Sequence, residues 1–178
     1  MIENDIERVL LSRKEIDDKV VEIGKRISED YAGKEPVFVG VLKGCFMFMA
    51  DLMRNISINC SVDFMFVSSY QGTNSTGAVR INKDLGRDIC GKDVIIVEDI
   101  LDSGVTLNYL KSYLSVREPA SIKIVTLLDK PARRKADVYA DYFCFDCPDE
   151  FVVGYGLDYN EKYRNLPYIG ILKPEIYT

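Results

Sequence analysis

Glu98 and Asp99 are adjacent carboxylates, and Asp102, Ser103, Gly104, Val105, Thr106 and Leu107 follow almost at once. They close an apolar, β-branched run, Val94-Ile95-Ile96-Val97. Charges at the end of a buried strand need partners. Two such acids suit a sugar diol or a hydrated Mg²⁺, which takes hard oxygen ligands. Gly104 lets the backbone approach a ligand closely. Free N–H groups at a helix start, with the hydroxyls of Ser103 and Thr106, can hold a phosphate. Together these groups describe a site for a phosphorylated sugar. The plainer alternative is an acidic surface turn in which Asp102 caps the helix. The segment is not a Walker loop, because it does not read G-x-x-x-x-G-K-[ST].

Composition narrows the chemistry. The chain has 178 residues, a formal net charge of −5 and no histidine. That removes Ser-His-Asp triads, His-bearing zinc sites and proximal-His haem. Acid–base work falls to carboxylates, Lys, Cys or Tyr. An acidic chain is poorly suited to being held by nucleic-acid phosphates, so no nucleic-acid partner is expected. The apolar fraction is 47% and the charged fraction 29%, as in globular domains. One domain of this length buries about two-thirds of its unfolded surface. No apolar run approaches the ~18 residues of a membrane span, so no membrane partner is expected. The polar start, Met1-Ile2-Glu3-Asn4-Asp5, does not look like a signal peptide, and a cytoplasmic location is expected. The five cysteines, Cys45, Cys60, Cys90, Cys144 and Cys147, read as small core thiols in a reducing compartment. Cys144 and Cys147 have C-x-x-C spacing, but a zinc ribbon needs a second such pair.

The elements that must position these groups can be read next. Ser12-Arg13-Lys14-Glu15 is a capping box. Ile16, Val20, Ile23, Ile27 and Tyr31 then recur at helical spacing, and Gly33 ends the pattern. Strands are expected over 37–42, 62–67, 94–97 and 121–128, with helices over 45–53 and 106–116. Residues 68–79 read as a polar, mobile loop, either functional or a plain hairpin connection. Strand, helix and strand in alternation predict an α/β fold with a mostly parallel central sheet flanked by helices. Short strands over 142–145, 151–153 and 168–172 are expected to build a small hood or lid. The predicted core spans about 35–140, and the hood 141–178 with part of the N-terminus. Gly154-Tyr155-Gly156 lacks the third glycine of a dinucleotide turn. Arg133, Arg134 and Lys135 read as a solvated basic turn.

Residues 94–107 resemble the ribose-phosphate signature of the type I phosphoribosyltransferases, and the chain is similar to their 6-oxopurine branch over nearly its whole length. Leu42-Lys43-Gly44 resembles the pyrophosphate loop, Ser69-Tyr70 with Ser75-Thr76-Gly77 the closing loop, and Leu128-Asp129-Lys130 the segment with a purine-binding lysine. Residues 151–161, with Arg164 beyond, resemble the base- and metal-binding stretch. The resemblance implies the type I phosphoribosyltransferase fold and transfer of a ribosyl phosphate from 5-phosphoribosyl 1-pyrophosphate to a purine base.

It also implies roles. Glu98 and Asp99 would address ribose and Mg²⁺, with Asp158 near a second metal position. Asp102 to Leu107 would hold the 5′-phosphate, and Asp102 would take the N7 proton as general base. Lys43, Gly44 and Arg164 would hold pyrophosphate, with a cis Leu42–Lys43 peptide. Ser69 and Tyr70 would close over the site. Ile100, Lys130, Phe151, Val152 and Asp158 would bind the purine. On their own, Phe151 could equally be a core aromatic and Lys130 a solvated surface residue. The resemblance further implies a homodimer or homotetramer. Two other functions fit the same fold: a non-catalytic regulator that binds the sugar donor, and a transferase for another 6-oxopurine such as xanthine.

Overall fold

The structure is a computed structural model that describes residues 2–69 and 79–177. In chain order the elements are β1 (Ile6–Leu11), α1 (Arg13–Asp30), β2 (Val37–Leu42), α2 (Phe46–Arg54), β3 (Ser61–Ser69) and β4 (Val79–Lys83). Then come β5 (Asp93–Leu101), α3 (Val105–Ser115), β6 (Ser121–Asp129), β7 (Tyr142–Asp146), β8 (Val152–Val153), β9 (Ile169–Leu172) and α4 (Pro174–Tyr177).

The capping box forms as the sequence predicts. Ser12 Oγ accepts from the Glu15 amide, and Glu15 Oε2 accepts from the Ser12 amide at 2.8 Å. Four orphan amides begin every helix, and this exchange satisfies two of them. Ile16, Val20, Ile23 and Ile27 then form the buried face of α1.

Six strands make the main sheet, in the order β4-β3-β2-β5-β6-β7. All its pairings are parallel except β3 with the edge strand β4. The period of two along each strand divides the core. Phe38, Ile95, Val97 and Val125 face one way, toward α1 and α2. Val39, Val41, Val94, Ile96 and Ile124 face the other, toward Leu107, Leu110 and Leu114 of α3. Burying each such side chain stabilises the fold by about 1.5–3 kcal/mol. A second sheet, in the order β1-β9-β8, joins the N-terminal strand to the C-terminal ones. Val153, Tyr163, Leu166 and Leu172 pack beneath it.

Several expectations need correction. The strand over 142–145 is not part of the smaller sheet: β7 pairs parallel to β6 on the main one. The strand expected over 94–97 runs on to Leu101, so Glu98, Asp99 and Ile100 lie within β5. Asp102 does not cap α3. Gly104 does, at φ 77°, a left-handed conformation that glycine adopts without strain. Cys60 and Cys90 are exposed rather than core thiols, while Cys45, Cys144 and Cys147 are buried, and all five are free. Among the described residues, no helix is long and apolar enough to cross a membrane.

Candidate active site

A cleft opens where the parallel strands end. Its walls are Val41 and Leu42 at the end of β2 with Lys43 and Gly44 just after it, Val67 of β3, and Glu98 to Gly104 with Thr106 and Leu107 at the β5–α3 junction. The carboxyl ends of the strands in an open parallel sheet are where ligands bind.

Glu98 and Asp99 keep only part of their surface open. Enclosure by protein holds the Glu98 carboxyl well above the usual carboxylate range, and the Asp99 charge pushes the same way. Burial also raises Asp99, opposed by the Ile100 amide, which donates to Asp99 Oδ1 at 2.8 Å. Two enclosed acids side by side repel, and a hard divalent cation with oxygen ligands would relieve both costs. The donor set therefore fits Mg²⁺. Among the described residues no three acids, cysteines or histidines cluster tightly enough to form one metal cage. Asp158 thus stands apart from the Glu98–Asp99 pair.

Past the acids, the backbone turns into α3. The helix begins at Val105, and its first amides have no intrahelical partner. Ser103 Oγ accepts only a long bond from the Val105 amide, at 3.4 Å. Asp102 Oδ1 is buried with no hydrogen-bond partner among the described residues. A buried acceptor left unpaired costs about 1–3 kcal/mol. That atom is poised for a donor from a ligand.

The expected pyrophosphate residues come together. The Leu42–Lys43 peptide is cis. Lys43 Nζ lies 3.0 Å from Glu161 Oε2, and Arg164 reaches the same carboxylate at 3.4 Å. Arg164 also donates to the Gly156 carbonyl and pairs with Asp158 Oδ1, each at 2.8 Å. Its Nε is buried and unpartnered among the described residues. Glu161, which no sequence signal singled out, thus bridges two cations, and Lys43 holds its carboxyl below the usual range. Gly156 packs so closely on the Gly44 carbonyl that a Cβ there would overlap it. That contact sets the 154–164 segment against the rim of the cleft.

Of the expected purine residues, Ile100 lines the cleft, whereas Lys130, Phe151, Val152 and Asp158 lie outside its lining. Lys130 is 3% exposed, so it is not a solvated residue. Its Nζ donates to the Glu150 carbonyl at 2.8 Å and faces Asp149 at 3.5 Å. Its amide donates to Leu101 O at 2.9 Å, which ties it to the end of β5. Phe151 stacks on Tyr177 at 4.8 Å and meets Tyr159 edge-on at 5.5 Å. Val152 is buried in β8, and Ile100 is partly open in β5. Val105, expected in the phosphate loop, does not line the cleft and is an exposed residue of α3. Tyr70, Ser75, Thr76 and Gly77 lie outside the described residues, as does the side chain of Ser69. Arg134, read as solvated, is in fact largely enclosed, with 12% of its side chain exposed.

A parallel sheet with paired acids on its central strand and an anion-ready helix start just beyond defines a phosphoribosyltransferase of type I. The phosphoribosyl transferase domain family matches residues 10–160. The chain is 53% identical to the hypoxanthine-guanine phosphoribosyltransferase of Streptococcus pneumoniae, over 100% of this chain and 99% of that protein. It is 54% identical to the bifunctional protein TilS/HprT of Listeria monocytogenes, over 98% of this chain but only 27% of that one. A hypoxanthine phosphoribosyltransferase from Staphylococcus aureus superposes with a TM-score of 0.96 at 56% identity, covering 99% of this chain and 97% of that one. The chain belongs to the phosphoribosyltransferase family and, within it, to the hypoxanthine-guanine phosphoribosyltransferases.

Proposed function

We propose that this chain joins hypoxanthine or guanine to 5-phosphoribosyl 1-pyrophosphate, giving the nucleoside 5′-monophosphate and pyrophosphate. The observation that carries the reading is the Asp102 carboxylate oxygen, which has no partner among the described residues and is set between a half-buried acid pair and a helix start. A ring nitrogen of the purine bonds to the ribosyl carbon while the bond from that carbon to pyrophosphate breaks. The purine then carries one proton too many, and Asp102 Oδ1 accepts it from N7. A positioned general base contributes about 10²–10⁴-fold.

The leaving group is strongly anionic. Lys43 and Arg164 take its charge as it departs, and a guanidinium suits bidentate phosphate contact. Glu98 and Asp99 hold the ribose hydroxyls and Mg²⁺, with Asp158 serving a second metal position. When bound, Mg²⁺ neutralises pyrophosphate and orients the sugar. Ser103, Gly104, Thr106 and Leu107 hold the 5′-phosphate. The ribosyl carbon gains cation character, so water must be kept out, and that task is assigned to Ser69, the last residue of β3, and to Tyr70 after it.

Lys130 donates to the 6-oxo group, which adenine replaces with an amino group that cannot accept. Ile100, Phe151 and Val152 complete the base site, and xanthine has the same 6-oxo acceptor. A homodimer or homotetramer suits the exposed apolar Phe46 and Val62 beside Met49, Met53 and Phe64. Five free thiols suit a reducing, cytoplasmic setting.

The test is pyrophosphate release with Mg²⁺, the sugar donor and a panel of bases. Release with hypoxanthine and guanine but not adenine or uracil is expected. No release with any base would overturn the reading.

A further inference from the structure

The backbone carbonyls of Leu101, Asp102 and Ser103 are all taken by one short segment. Leu101 O accepts from the Lys130 amide at 2.9 Å and from an Arg134 terminal nitrogen at 3.3 Å. Asp102 O accepts from Arg134 Nε at 3.0 Å. Ser103 O accepts from the amides of Lys135 and Ala136, at 2.9 and 3.1 Å. Arg134 also donates to Val138 O at 2.6 Å and pairs with the Asp129 carboxylate. The same segment presses on Gly104, where a Cβ would come within 2.6 Å of Val138 Cγ1 and 3.0 Å of Arg134 Cδ.

A trans peptide is planar, with its C=O and the following N–H on opposite sides. Fixing these three carbonyls on the 130–136 segment therefore turns the amides of Asp102, Ser103 and Gly104 the other way. The same residues line the cleft. We propose that Arg134 is a positioning residue: it fixes the peptide planes of the turn so that the amides face a phosphate in the cleft.

The residue type matters. Arg134 serves four acceptors from one rigid fork, which the point charge of a lysine does not reproduce. An enclosed guanidinium without such partners would also be costly. Arg134 touches no substrate in this scheme and acts only through the turn. The inference rests on the reading of that turn as the 5′-phosphate holder.

The experiment compares the full chain with Arg134→Lys and Asp129→Asn. Calorimetry measures the affinity for inosine 5′-monophosphate and for inosine, which lacks the phosphate. Steady-state kinetics measure KM for the sugar donor and for hypoxanthine separately. Arg134→Lys is expected to bind inosine unchanged but to lose about tenfold or more toward the monophosphate. KM for the sugar donor should rise to match, with KM for the base unchanged. Asp129→Asn, which keeps Arg134 but removes its anchor, should show the same selective loss in weaker form. It decides the matter if Arg134→Lys does not fold. Equal loss toward both ligands, or no loss, overturns the positioning role. If the unaltered chain itself binds inosine as tightly as the monophosphate, the phosphate-holding reading of the turn fails instead.

Discussion

Gly44 lies so close to the Asp99 carboxylate that no side chain fits between them. A Cβ built on Gly44 would overlap Asp99 Oδ2 and lie 2.5 Å from its Cγ. On its other side, the Gly44 carbonyl abuts Gly156. The loop after β2, the acids of β5 and the 154–158 segment thus meet through bare backbone. Gly44→Ala must move Asp99 or the rim. A misplacement of about 1 Å can cost ~10²-fold in rate, and a loss of that order in kcat/KM is expected. Gly33→Ala is the control, since Gly33 has φ 77° but nothing within 4 Å of a built Cβ. It should cost about 1–2 kcal/mol of stability in thermal unfolding, with activity kept. Full activity in Gly44→Ala would refute the argument.

Asp102 is the next test. Asn fills the same space but is a far weaker proton acceptor. Asp102→Asn should fold normally and keep its affinity for the sugar donor. Turnover should fall by about 10²–10⁴-fold. Unchanged turnover removes the base role from Asp102 and returns its unpartnered oxygen to an unexplained feature.

Lys130 separates base recognition from donor binding. Lys130→Met keeps the buried stem and removes the ammonium. Hydrogen bonds from charged groups are worth about 1.5–3 kcal/mol, so KM for hypoxanthine should rise about 10- to 150-fold. KM for the sugar donor should hold steady. A parallel rise in both constants would show that Lys130 acts by holding Glu150 and the chain around it, not by reading the base.

Much of this was legible in the sequence, and the reasons for the rest are physical. α1 was spelled out by its capping box and apolar spacing. The buried parallel strands were spelled out by their apolar runs. β4 was not, because an edge strand with Arg80, Asn82 and Lys83 on it carries no apolar run. The apolar residues of β7 mark a strand but not its sheet, since pairing with β6 is decided by tertiary packing. Arg134 looked solvated because charge in a basic run usually is, and only the folded chain brings Asp129 and three carbonyls around it. Glu161 carries no local signal for the same reason. Its bridge between Lys43 and Arg164 joins residues far apart in sequence.

The thiols offer a test of the core that does not depend on catalysis. Burial pushes the Cys144 thiol up to about 12 and also raises Cys45 and Cys147. The thiolate is the reactive form, so these three should be inert in the folded chain. Cys60 and Cys90 are exposed. Titration with a thiol reagent at pH 8 should therefore find two reactive groups of the five while the chain is native, and all five in denaturant. Three or more fast groups in the native chain would contradict the burial of that core.

Ser121 and Asp93 tie the starts of β6 and β5 together. Ser121 Oγ donates to Asp93 Oδ1 at 2.5 Å, and Lys34 adds an ion pair at 3.2 Å. The Ser121 bond, with Lys34 behind it, holds the Asp93 carboxyl below its usual range. A lowered acid stabilises the fold above its unfolded pKa, near 3.8, and that contribution fades as pH falls through the folded value. Ser121→Ala removes the largest of the groups that hold it down. At pH 7 it should lower stability by about 1 kcal/mol. As the pH drops below about 4, the gap between the two proteins should narrow, because protonated Asp93 no longer gains from the charge-assisted bond. Denaturant unfolding at a series of pH values measures it. A gap that stays constant down to acid pH would mean that the bond stabilises both protonation states alike, and that Asp93 is not the group that titrates with folding.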